Sequence, residues 1–228
     1  MQKLFYLLFD DAESDGTKLR QALCEEAVPA IRNSGGERII VFGADSDVAA
    51  GSPVRQCDPP IRGMLSFWLE DAADRGPAEK ALASLVASEP AGYVVVESRP
   101  LDHARPVGER TPGMKQITCI SRRPDLGDAE FAKLWHVDHR RVALETQSTF
   151  GYVRNEIFRV LTPGAPDHWS AFVEESFPIE ALDDPLVFFA AKSQAEYEAN
   201  LDRMLESCRR FMRLDSLEVT FVSEYDLG

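Results

Sequence analysis

MKQITCISRRPDLGDAEFAKLWHVDHRRVALE, Met114 to Glu145, decides how this 228-residue chain is read. Its first eight residues, Met114 to Ser121, read as a strand. A turn through Pro124 follows. A helix then starts at Gly127, a tolerated N-cap residue, with Glu130 placed as the acid of a capping box. Asp128 and Glu130 also suit the positive end of the helix. At about 100° per residue, Phe131, Trp135 and Val142 centre one face. Leu134 and Asp138 fall on one shoulder and His139 on the other. His136 points away, beside Lys133 and Arg140, toward solvent.

The same succession occurs upstream. KLFYLLF (Lys3 to Phe9) is a buried-strand run, and Leu19, Leu23, Ala27 and Ile31 follow at helical spacing. A shift of 112 positions lays Lys3 on Lys115, Leu19 on Phe131, Leu23 on Trp135 and Ala27 on His139. Pro29 predicts a kink or an early end in the first helix, and Gly35-Gly36 its termination. ERIIVFGAD and IRGMLSFWLE read as strands, PAEKALASLVAS as a short helix opened by Pro77, and AGYVVVESRPL as a fourth strand. In the second half, FGYVRNEIFRVL, WSAFVEESFPI and LEVTFVSEY read as strands. A long helix over roughly 194–212 carries a core stripe of Tyr197, Leu201, Met204, Leu205, Cys208, Phe211 and Met212. Each half is therefore a βαββαβ, ferredoxin-like repeat. One such unit leaves a sheet face uncovered. Two of them bury each other's, giving an α+β fold with an eight-stranded barrel within one chain. The expected division is 1–103 for a degenerate first repeat, 104–113 for a Pro- and Gly-bearing linker and 114–228 for the second repeat.

The net charge of −13 argues against nucleic-acid binding and against an anionic membrane surface. The four cysteines are far apart, with no CxxC spacing, and Cys119 and Cys208 read as core thiols. The amino-terminal run is too short for a secretory signal, and nothing reaches the length of a membrane span. The chain therefore reads as soluble and cytoplasmic.

The chemistry concentrates on the Trp135 helix and the strand after it. A partly dry imidazole is a good general base because its pKa lies near working pH. Asp138 beside an apolar face needs a partner or a polar pocket, and binds an arginine or tunes His139. On the following strand, Tyr152, Arg154 and Glu156 share one face and Asn155 takes the other. Tyr152 is placed to donate to an enolate oxygen. His103 and His168 read as surface residues. Dinucleotide, P-loop, nucleophile-elbow and zincin motifs are absent. His136 and His139 point apart with no third ligand, so neither a metal nor a cofactor is expected.

ISRRPDLGDAEFAKLWHVDHRRVA resembles the signature of the EthD family: a strand ending in Arg-Pro, a capped turn, then Phe131, Trp135 and His139 at four-residue spacing. Tyr152-Val153-Arg154-Asn155 is similar to that family's Tyr-Val-x-Asn segment. The resemblance covers about residues 114–227. Arg141 stands where the family often has proline, and Asp138 where an apolar residue is common. The resemblance implies a dimeric α/β-barrel fold, here built from tandem repeats. That superfamily holds cofactor-free isomerases, cyclases, dehydratases and monooxygenases of aromatic, lactone or polyketide-like compounds, and some haem-related proteins.

The expected activity is a cofactor-independent lyase (dehydratase) or isomerase acting on a small aromatic, lactone or polyketide-like molecule. His139, Tyr152 and Asp138 would be catalytic. Trp135, Phe131, Arg154 and Asn155 would contact substrate. The alternatives are a non-catalytic ligand-binding accessory protein, with His139 structural, and a cofactor-free monooxygenase. The chain would act as a monomer or a homodimer.

Overall fold

A computed structural model describes residues 1–228. Its strands are β1 (Gln2–Phe9), β2 (Glu37–Gly43), β3 (Ile61–Leu69), β4 (Ala91–Leu101), β5 (Met114–Ile120), β6 (Gly151–Val160), β7 (Ala171–Phe177) and β8 (Glu218–Asp226). They close into an antiparallel barrel in the order β1-β3-β2-β8-β5-β7-β6-β4. Around the ring, β4-β1-β3-β2 and β8-β5-β7-β6 have the same internal order, joined at β2–β8 and β6–β4. Helices α1 (16–33) and α2 (Gly76–Ala83) belong to the first half, α3 (128–146) and α4 (Gln194–Arg209) to the second. This is the expected pair of βαββαβ units, fused edge to edge so that no strand edge is left open. The segment between β4 and β5 is held against β8, where Gly108 N donates to Asp226 O and Thr111 N to Glu224 O.

Two layers follow from strand alternation. Phe5, Phe42, Tyr93, Ile117 and Phe172 point inward and fill the barrel, with the Phe5 and Phe172 rings 5.0 Å apart. One end of that interior is ionic. Lys3 pairs with Glu97 at 2.5 Å, and Lys115 pairs with Glu224 and, at 3.3 Å, with Glu174. The outward face of each half meets its helices. In the first half Leu4, Tyr6 and Phe67 pack on Leu19, Leu23, Ala27 and Ile31, and the Tyr6 hydroxyl at the edge of that cluster donates to Glu79 at 3.1 Å.

The first helix of each half contains a π-helical turn, Leu23–Ala27 in α1 and Lys133–His139 in α3. Such a turn holds more residues than an α-turn, so a four-residue spacing lines up on one face. In α3 the buried residues Phe131, Trp135, His139 and Ala143 accordingly follow at four-residue spacing, with Thr146 buried at the helix end. Val142, expected at the centre of the face, is half-buried, because the wide turn rotates everything after it. Pro29 does not end α1, which runs on to Asn33. Proline is tolerated there because it sits in the first α-turn after the wide one. Gly35, at φ 84°, then terminates the helix.

Candidate active site

The outward face of the second half is hollow where the first is packed. A cavity of about 200 Å³ lies between β5–β8 and helices α3 and α4. Its floor is a cross-strand row: Gln116 on β5 faces Glu175 on β7, which faces Tyr152 on β6. Trp135 and His139 descend from α3, and Met204, Cys208 and Phe211 close the α4 side. The α4 stripe expected to be packed core is therefore in part the wall of a void.

Each polar group has a defined environment. Tyr152 Oη accepts a hydrogen bond from Trp135 Nε1 at 3.1 Å, which leaves its own proton free to donate. Burial, and then the charge of Glu175, raise the Tyr152 phenol, so it stays protonated. His139 Nδ1 lies 3.0 Å from Ser207 Oγ on α4, and burial pushes the imidazole down to about 4. Glu175 is buried with no cation beside it, and its one hydrogen bond is from Gln116 Nε2 at 3.4 Å. Burial pushes this carboxyl up to about 7. Cys208 is driven up to about 12, first by burial and then by Glu175, which makes it an unreactive thiol.

Of the residues expected at the site, His139, Tyr152 and Trp135 meet at the cavity. Phe131 does not reach it; it packs behind Trp135, ring centroids 5.3 Å apart. Arg154 sits outside, its guanidinium 5.8 Å from the Trp135 centroid and its Nε donating to Ser98 Oγ. Asn155 is on the opposite face, inside the barrel, where it accepts from Lys3 and donates to Glu174. Asp138 is turned outward by the π-turn and accepts from Arg210 at 3.0 Å, so it neither lines the cavity nor touches His139. His136 is half-buried rather than solvent-facing, 3.4 Å from Glu156, and is pushed down to about 4 by burial and then by Arg154. His103 is not a free surface residue either: its ring packs on Phe150 and reaches within 3.8 Å of Glu224.

Glu175 was missed by the sequence reading. Its signal is present: AFVEESF is a fully buried strand with two adjacent acids, and alternation sends one to each side. No group of three or more His, Cys, Asp or Glu side chains is arranged to hold a metal ion. Haem does not fit either. A cavity of roughly 150 Å³ holds one benzene ring, so the 200 Å³ here lacks room for the four pyrroles of a porphyrin.

No protein-family model matches the chain, and no curated protein matches it by sequence. Solved structures do. An anthrone oxidase-like protein is similar over 100% of this chain and 93% of its own, with a TM-score of 0.57 and 11% identity. The chain has the dimeric α/β-barrel fold. A dye-decolorizing peroxidase from Bacteroides thetaiotaomicron VPI-5482 is similar over 99% of this chain and 93% of its own (TM-score 0.53, 12% identity). A protein assigned as a monooxygenase from Lactobacillus acidophilus NCFM covers 100% of this chain with 96% of its own (TM-score 0.50, 11% identity). At these identities the likeness is one of fold. No helix is long and apolar enough to cross a membrane.

Proposed function

We propose that the cavity of the second repeat is the active site of an enzyme that moves protons on a small, largely apolar ring compound. One observation carries this reading. Three side chains able to take or give a proton, His139, Tyr152 and Glu175, converge from three different elements on one cavity whose remaining lining is mostly apolar, with Gln116, Thr118 and Gln147 as its other polar groups. Apolar walls with a few convergent polar groups of perturbed pKa are the usual makeup of a small-molecule site. The volume suits one or two rings. The EthD resemblance at Phe131, Trp135, His139 and Tyr152 supports the same placement. Enolisation of a ring ketone or lactone fits best: a carbon-bound proton leaves, and Tyr152 donates to the oxygen that gains charge. Protonating another carbon gives an isomerase; expelling a leaving group gives a lyase.

A second reading follows from the oxidase-like and monooxygenase neighbours. There the same carbanion would react with O₂. An oxygen electrode separates the two, since only the second consumes oxygen.

The test is deuterium uptake from D₂O into 2-indanone and 2-tetralone, followed by mass spectrometry. Wild type is expected to accelerate exchange, and Tyr152→Phe to slow it by about 10²–10³, as for loss of one oxyanion donor. Exchange at the buffer rate with wild-type protein would sink the reading.

A further inference from the structure

Glu175 is the group in this protein whose surroundings least explain its presence. It is buried on the cavity floor, and no lysine or arginine pairs with it. Its one hydrogen bond, from Gln116, is long at 3.4 Å. A buried carboxylate without a cation is costly, and such groups persist where they have work to do. The first repeat shows that the fold does not need it. There the corresponding cross-strand pair is Leu4 facing Phe67, and the space above is filled by the parallel rings of Tyr6 and Phe67, 5.8 Å apart.

The neighbours divide the remaining labour. His139 is held through Nδ1 by Ser207. Tyr152 receives the Trp135 N–H and sits directly across the strand pair from Glu175, its own proton available. An acceptor and a donor therefore stand side by side on one sheet face, under an aromatic wall.

Resting on the proton-transfer reading above, we propose that Glu175, not His139, is the catalytic base, and that the substrates are carbon acids, ring ketones or lactones with a C–H next to the carbonyl. The C–H bond breaks and its proton goes to a Glu175 carboxylate oxygen. The electron pair moves into the ring C=C bond, and the carbonyl π pair moves onto oxygen, which takes the Tyr152 hydrogen bond. Return of the same proton to a conjugated carbon completes an isomerisation with no further reactant. Burial supports the assignment, because it sets the carboxyl near working pH while it makes His139 a weaker base.

The experiment compares wild type with Glu175→Gln, which copies the protonated carboxyl. The enolate mimic is 2,6-dichloro-4-nitrophenol, a phenol ionised across the whole range used. The phenolate and an ionised Glu175 repel each other. Wild-type affinity is therefore expected to fall about tenfold per pH unit above roughly pH 7. Glu175→Gln is expected to bind at least as tightly at low pH, with no such fall. Its 2-indanone exchange should drop by about 10²–10⁴, with the circular dichroism spectrum unchanged. Survival of the pH step in Glu175→Gln, or exchange within tenfold of wild type, overturns the assignment. Failure of the underlying reading looks different: wild type would exchange no ketone, and neither protein would show a pH step in binding.

Discussion

Glu174 and Glu175 are neighbours in sequence and both are buried, yet they point to opposite sides of β7 and have opposite fates. Glu174 enters the barrel. Burial would raise its carboxyl, but Lys3, then Lys115, and the hydrogen bond from Asn155 outweigh burial and hold it down at about 2. Glu175 faces the cavity, where only burial acts, and rises to about 7. Both carboxyls are buried and their partners differ. A buried acid in an ion network has its charge answered. A buried acid in an apolar cavity carries an unmet demand that a proton or a substrate can satisfy.

The largest effect is expected where the network is cut. Lys115→Met removes the cation facing both Glu174 and Glu224. It should cost about 3–5 kcal/mol, the usual result of leaving one partner of a buried pair uncompensated. Urea denaturation at pH 7 measures it, and an unchanged midpoint would mean the interior charges are not coupled to folding.

Glu175→Gln should do the reverse. The folded-state pKa of Glu175 is raised, so its stabilising contribution is present at low pH and is lost as pH rises from about 4.5 through about 7. At 1.36 kcal/mol per unit this amounts to about 3 kcal/mol in wild type. The variant should be more stable than wild type by up to that amount at pH 8 and level with it near pH 4. Subtracting the two stability curves isolates Glu175 from the buried histidines, whose lowered pKa values act in the opposite direction. A difference that does not grow with pH breaks the comparison.

Ser207→Ala should show the smallest effect, about 1 kcal/mol for one hydrogen bond. It also frees the His139 ring. Chemical denaturation gives the energy, and loss of the single His139 environment by NMR gives the geometry. No change in either would show that Ser207 does not hold the ring.

The same contrast explains what could be read in advance. Strand and helix order, the internal repeat and the barrel are legible because they rest on periodicity, which a linear sequence carries directly. His139, Trp135 and Tyr152 are legible because unusual residue types recur at four-residue spacing on one helix and at period two on one strand. Val142 lies off the centre of the face because a 100° wheel assumes an unbroken α-helix, and Lys133–His139 is a wider turn; Asp138, half-buried on its shoulder, binds an arginine, Arg210, and not His139. Asn155 belongs to the Tyr-Val-x-Asn segment, but alternation puts it on the other side of the sheet from Tyr152, where Lys3 and Glu174 engage it.

By itself, the sequence determined the α+β class, the two βαββαβ units and the helix that carries His139. These are properties of local pattern and of the need to bury one face of each sheet. Only the tertiary structure decided which buried acid is neutralised and which is not. That depends on whether lysines from β1 and β5, distant along the chain from β7, meet the carboxylate. It also depends on whether aromatic packing fills the helix–sheet space, as in the first half, or leaves a void, as in the second.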